Sequence, residues 1–553
     1  MTATPRLLAY CASPNRYFDE RAEEVARLYD GFFFVVGDWE QGVATHLGVG
    51  SRAASTDWRT RAGSNLAHLR QAGATESLLG VHFSQDGAWP SPQTLLSPAY
   101  TRRLAAHFAA LGRAARELGF AGVSIDVEYP YRRYSLQHEI YRYRGYTAED
   151  LLAAAAQQGR AVMAALLDEF PQAVVFVLPG DLWGRPLGRT FTLALLEEMA
   201  ARAAPGGFHL GYERAYGLLD PATQVAIPRV GDCAAAVLAS PAAQAYWRRC
   251  CSVAPGVWPL HMVETGGEGY PVRPWDEELA ELQQQLAILL TVTRRYLWSY
   301  SGHPLWYLPS ARWRRRYALA PQAFPGAAEA IAGWHAILAG RQPSTDPRIQ
   351  ALAAVVSCFD RAEIGPAELC AHFGTPGAWL VLGPLGNPFT APAYSAPGAL
   401  LRPPCRQEVH HGRDGVVRWF TFHNCEPTGH VRLEAAFDWH STDQAAAHLV
   451  ATVTAPRRTS GFLWLGWDDG LAVWLNGRLL LDRRSYPPQG HGLLFRDRYL
   501  FEERVPVTLP RGSSRLALTS VNATGVWACS LRFGDGEAYP LPGLRFSLPR
   551  APR

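Results

Sequence analysis

The chain has 553 residues, 48% of them apolar and 18% charged, with a formal net charge of +4. This is the make-up of a globular protein with room for two or three domains, and so small a charge gives no reason to propose a nucleic-acid partner. All 53 basic residues are arginine, which excludes a Schiff-base or phosphate-loop lysine, and no apolar run reaches the roughly 18 residues of a membrane-crossing helix.

From residue 6 to about residue 340, short apolar runs alternate with amphipathic stretches. The runs predict strands at Leu7–Cys11, Phe32–Val36, Leu78–Phe83, Ala121–Ile125, Ala173–Leu178, Gly207–Tyr212, Val257–Val263 and Tyr296–Tyr300. Between them the pattern predicts helices. One runs from about Asp57 to Gln71, and another, capped by Ser97-Pro98, runs to Leu118. A third opens with the capping box at Thr147. Asp232–Cys250 reads as helical with an interruption at Pro241. Eight strand–helix units over this length are the count and size of a β/α (TIM) barrel. An open doubly wound sheet is the runner-up, but no glycine-rich phosphate loop follows any strand.

Residues 341–375 read as a helical connector. Beyond them, residues 376–553 change to short strands, turns and aromatics, including Gly461-Phe-Leu-Trp-Leu and Leu471-Ala-Val-Trp-Leu. Asn476-Gly477 is a hairpin turn signal. This part is expected to be an all-β sandwich of jelly-roll type.

Barrel enzymes place their working residues at the C-terminal strand ends. Polar and aromatic residues collect there: Asp38 and Trp39, His82, Asp126 and Glu128, Asp181 and Trp183, Tyr212 and Glu213, Glu264, Trp298 and Tyr300. Asp126 and Glu128 lie two apart at the end of a buried run, so on a strand they share a face. Two carboxylates held close disfavour each other's ionised form, which suits one of them to proton donation. The alternative role for the pair is ion pairing with Arg132 or Arg133. The 18 Trp and 22 Tyr tilt the reading toward carbohydrate, because aromatic faces stack on sugar rings. His82, His261 and His303 form no paired zinc motif, and no metal or other cofactor is expected. The nine cysteines show no metal-ligand spacing, although Cys250 and Cys251 are adjacent. Asn522-Ala-Thr524 fits a glycosylation sequon. Met1–Tyr10 has no basic region followed by a long apolar core, so the expected location is cytoplasmic, or secreted if a leader has been removed.

The stretch Phe120-Ala-Gly-Val-Ser-Ile-Asp-Val-Glu-Tyr-Pro130 resembles the fourth-strand signature of family 18 glycoside hydrolases, the chitinase-like group, Asp-Gly-x-Asp-x-Asp-x-Glu continued by Tyr-Pro. Gly122, Asp126, Glu128, Tyr129 and Pro130 match it, while Ala121 and Ser124 stand in place of its first two acids. The resemblance implies a glycosidase in which Glu128 is the acid/base and Asp126 orients the substrate's 2-acetamido group. It also implies that Tyr212 donates to the acetamido oxygen and that Trp298 floors the sugar site. Glu213 replaces the Asp that usually follows the tyrosine, which leaves acetamido specificity open. A second arrangement resembles retaining barrel glycosidases with Glu128 as acid/base and Glu264 as nucleophile, although Val127 stands where they carry Asn. Retention by that route needs carboxyl groups about 5–5.5 Å apart, inversion about 6.5–9.5 Å. The alternative to an enzyme is a degenerate barrel that binds glycan without cleaving it. Residues 376–550 resemble the galactose-binding-like sandwiches attached to many glycosidases. The expected partner is a carbohydrate, with no nucleic acid and no membrane.

Overall fold

The structure is a computed structural model that describes residues 4–38, 43, 47, 56–82, 92–127, 145–180, 182–183, 186–216, 220–259, 274–300, 327–386, 407–437, 443–484, 501, 503–523 and 527–549. The chain divides into two compact units. The first takes in Met1–His138, Tyr143–Leu218 and Leu238–Thr345.

In the first unit the apolar runs become eight strands: β1 (Arg6–Ala12), β2 (Gly31–Asp38), β3 (Leu78–His82), β4 (Gly122–Asp126), β5 (Val174–Leu178), β6 (Phe208–Tyr212), β7 (Ser252–Val257) and β8 (Tyr296–Tyr300). They close in chain order into a parallel barrel, with β8 paired to β1. Helices return the chain between strands. Pro98–Leu118 stops at Gly119, whose φ of 85° lets the backbone turn out of the helix. Thr147 caps Ala148–Glu169 by accepting from the Asp150 N–H at 3.1 Å.

Aromatic rings fill the barrel. Tyr296 meets His209 at 4.8 Å, Phe176 meets Phe33 at 5.1 Å, and Phe33 meets Tyr10 at 5.3 Å. Such pairs add about 0.5–1.5 kcal/mol each beyond the area they bury. Room for them comes from missing side chains on other strands. A Cβ on Gly256 would sit 2.5 Å from the Tyr216 ring and 2.9 Å from Trp298.

The seventh strand departs from expectation. Val257–Val263 predicts it, but β7 is Ser252–Val257. Pro255 within that segment argues against a strand on sequence grounds, yet it pairs with Tyr212 in the closed barrel. Glu264 therefore lies seven residues past the strand, outside the described residues, rather than at its end. The helical stretch 232–250 is also split: Val230–Leu238 and Pro241–Cys250 are separate helices, and Ser240 caps the second.

The second unit includes Leu219–Val237 and Asp346–Arg553. Helices Pro347–Asp360 and Pro366–His372 precede its strands. These are β9 (Trp379–Leu385), β10 (His410–His411), β11 (Val416–Val417), β12 (Phe420–Phe422), β13 (His430–Arg432), β14 (Ala445–Ala455), β15 (Thr459–Trp467), β16 (Gly470–Leu475), β17 (Arg478–Asp482), β18 (Glu503–Leu509), β19 (Gly512–Asn522), β20 (Ala528–Gly534) and β21 (Arg545–Ser547). One sheet runs β12-β9-β14-β19-β16-β17 with β21 on β14; another runs β13-β20-β15-β18; β10 and β11 form a ribbon. The pairing is antiparallel throughout both larger sheets. Trp379, Leu449 and Leu518 of the first sheet and Leu463, Leu531 and Phe533 of the second share one core. Asn476 and Gly477 turn the β16–β17 hairpin with φ of 51° and 80°, both positive as a type I′ turn requires.

Candidate active site

Parallel strands that end together bring their last residues into one ring. His82 is paired in register with Asp126, Asp38 with His82, and Tyr10 with Tyr300. Asp126 is at the centre of the contacts. The Tyr10 hydroxyl donates to its Oδ2 at 3.0 Å, and His82 Nδ1 lies 3.0 Å from the same oxygen. An ionised carboxylate there can only accept, which would put the histidine proton on Nδ1. Asp126 is 5% exposed. A carboxylate this deep requires such donors, since burial without them costs several kcal/mol.

An aromatic wall adjoins the clasp. The Tyr10 ring stacks on Tyr300 with centroids 5.7 Å apart and meets Trp298 edge-on at 5.6 Å. Tyr216, in the 3₁₀ turn Glu213–Tyr216 after β6, meets Trp298 at 5.3 Å and Trp258 at 5.3 Å. Trp258 reaches Tyr300 at 5.1 Å. Trp298 lies deepest: it is 1% exposed, and its indole N–H donates to the Ala254 carbonyl at 3.0 Å. Tyr300 is only partly buried.

Of the residues expected at the site, His82, Asp126, Trp298 and Tyr300 are joined by these contacts through Tyr10. Tyr212 ends β6 and is buried, Glu213 begins the turn after it, and Trp183 is buried in the segment after β5. Glu128, Glu264, Trp39, Asp181 and the side chain of Asp38 lie outside the described residues. Sequence reasoning misses Tyr10, Tyr216 and Trp258. Tyr10 carries a usable signal, a hydroxyl near the C-terminal end of a barrel strand. Tyr216 lies in the turn after β6, four residues past an end the residue pattern does locate, and Trp258 follows β7, whose end it does not. Among the described residues, no cluster of three or more His, Cys, Asp or Glu could hold a metal ion, and no helix is long and apolar enough to cross a membrane.

The sequence matches no protein-family profile and no curated protein. Solved structures give weak overlaps. A fungal endo-β-N-acetylglucosaminidase of glycosyl hydrolase family 18 aligns at 14% identity over 61% of this chain and 97% of its own, with a TM-score of 0.33. The Old Yellow Enzyme of Pichia sp. AKU4542 aligns at 9% identity over 59% and 86%, with a TM-score of 0.31. Morphinone reductase, in complex with tetrahydroNAD, aligns at 11% over 60% and 93%, with a TM-score of 0.30. Scores this low do not discriminate between a hydrolase and a reductase.

Proposed function

We propose that this chain is a glycoside hydrolase working at the C-terminal mouth of the barrel, with Asp126 as the anchored carboxylate and Glu128 as the proton donor. The observation that carries the reading is the clasp on Asp126: a buried carboxylate held by a tyrosine hydroxyl and a histidine at 3.0 Å each, beside a wall of aromatic rings. Asp126 is engaged as an acceptor, so proton donation falls to the second carboxylate of the motif, Glu128. The aromatic wall suits the apolar face of a sugar ring. Glu128 protonates the departing glycosidic oxygen, and the anomeric carbon is attacked by the substrate's own acetamido group or by Glu264.

The test is turnover of two glycosides that differ only in leaving group, by wild type and by Glu128→Gln. Loss of the acid should cost roughly 10²–10⁴-fold on the poor leaving group and much less on the good one. Equal turnover of the poor leaving group by both proteins would overturn the assignment. A barrel that binds glycan without cleaving it is the second reading, favoured by Ala121 and Ser124 at the acid positions of the motif. It predicts glycan binding by wild type with no turnover of either substrate.

A further inference from the structure

Cys250 and Cys251 stand at the foot of the barrel, opposite the strand ends that carry Asp126. The helix Pro241–Cys250 ends on the first of them, and the second is already extended, with φ −103° and ψ 163°. The turn between them brings both thiols to one acceptor. Cys250 Sγ donates to the Tyr246 carbonyl at 3.4 Å, and Cys251 Sγ lies 3.9 Å from the same oxygen. Cys251 is buried, whereas Cys250 is partly exposed.

Arginines approach the pair. Arg295 donates to the Cys250 carbonyl at 3.5 Å and Arg294 to the Cys251 carbonyl at 3.4 Å. Interaction with the neighbouring Cys251 thiol lowers the Cys250 thiol below its usual range. Contact with Tyr246 and the charges of Arg249 and Arg295 add to this effect, against the opposing effect of burial. Burial pushes Cys251 the other way. The Tyr246 phenol, raised by burial, stays protonated and donates to the Ala204 carbonyl at 2.8 Å. A partly exposed thiol that ionises more readily than usual, beside a buried one, is the arrangement of an attacking and a resolving cysteine.

We propose that Cys250 and Cys251 are a reversible redox pair, in which Cys250 reacts with a hydroperoxide and Cys251 resolves the product into a vicinal disulfide. The Cys250 thiolate attacks the peroxide oxygen and the O–O bond breaks. Sulfenic acid forms, and the other oxygen leaves with a proton as water or alcohol. The Cys251 sulfur then attacks the sulfenic sulfur, the S–O bond breaks, and the hydroxyl leaves with the Cys251 proton as water. The peroxide is reduced by two electrons and the pair is oxidised by two. Adjacent Cα atoms are only about 3.8 Å apart, closer than the roughly 4.4–6.8 Å of ordinary disulfides. The resulting ring is therefore strained and readily reduced, which makes it a switch rather than a staple.

The full-length protein is treated with hydrogen peroxide at neutral pH, alkylated with iodoacetamide, digested and mapped by mass. The peptide carrying Cys250 and Cys251 should lose two hydrogens, escape alkylation, and recover both thiols after dithiothreitol, while the partly exposed Cys358 stays alkylatable. In Cys251→Ser, dimedone should trap sulfenic acid on Cys250 at about tenfold or more above wild type, since nothing resolves it. Full alkylation of Cys250 and Cys251 in wild type after peroxide would overturn the proposal. So would sulfinic acid forming on Cys250 at the same rate in both proteins. The wild-type measurement decides even if the variant does not fold.

Discussion

Asp126 in the barrel and Glu426 in the second unit are both buried carboxylates, and they are held by opposite means. Asp126 takes hydrogen bonds from a phenol and an imidazole. Glu426, 1% exposed, faces the Arg432 guanidinium at 3.1 Å and accepts from the Thr428 hydroxyl at 3.0 Å. The second unit repeats that solution. Arg532, fully buried, donates to Asp220 at 2.6 Å and to the Thr223 hydroxyl at 2.8 Å. Arg229 lies 2.7 Å from Asp360 and 3.4 Å from Asp232. A guanidinium stays charged at any working pH and gives up no proton, so a carboxylate it holds is committed to structure. Tyrosine and histidine can pass protons, so the clasp on Asp126 does not commit its carboxylate to structure in that way. On the proposed function, the difference is that between a brace and a site.

The largest expected effect tests the brace. Arg532→Ala leaves Asp220 without its cation and should destabilise the second unit by about 3–5 kcal/mol. Hydrogen exchange along β20 and the urea midpoint report it. A loss below about 1 kcal/mol would mean that the pair is dispensable and the contrast with Asp126 is not one of stability. Next comes a pH effect common to both regions. Burial lowers His209 in the barrel to about 3 and His448 in the second unit to about 4. Folded, both stay neutral where the unfolded chain takes up protons, so stability is full above about pH 6.5 and falls as pH drops toward those values. By pH 4.5 each should cost roughly 2–3 kcal/mol. Urea midpoints at pH 7 and 4.5 check this, and His209→Gln should remove the barrel's share of the slope. The smallest effect sharpens the reading of the site. Tyr10→Phe keeps the ring but removes the hydroxyl from Asp126, and a bond to a charged group is worth about 1.5–3 kcal/mol. Turnover should fall roughly ten- to a hundredfold, and stability by no more than that bond's worth of about 1.5–3 kcal/mol. The reverse outcome, full turnover with lost stability, would make the Asp126 clasp one more brace.

Much of the barrel is legible because its strands are buried on both faces and read as plain apolar runs. Pro255 hides β7, since a proline argues against a strand until the closed sheet is seen around it. β14 is hidden differently. Its Ala445-Ala-Ala-His-Leu-Val-Ala segment looks helical, yet alternate residues feed two apolar clusters, Leu449 into one and Val450 into the other. With both faces buried, the alternation that marks a strand is lost. At the site, Asp126 and His82 are legible from strand ends, but the tyrosine that holds Asp126 comes from a strand 116 residues earlier in the chain. The least legible feature is the allegiance of residues 220–237, whose helices look like any others between β6 and β7. The contacts of Asp220, Thr223 and Arg229 are among those that place them in the second unit.

That allegiance orders events on the ribosome. Asp220 caps the helix Pro221–Ala226, accepting from the Thr223 N–H at 3.0 Å, so it can take up its local role at once. Its cation is Arg532, 312 residues later. At about 5–20 residues per second, roughly 15–60 s pass between the emergence of the acid and of its partner. For that interval the barrel chain carries a finished piece of a unit that has yet to be synthesised. A fragment beginning at Asp346 would lack Asp220, the carboxylate that Arg532 needs, so the gene cannot be divided at that point without removing part of the second unit.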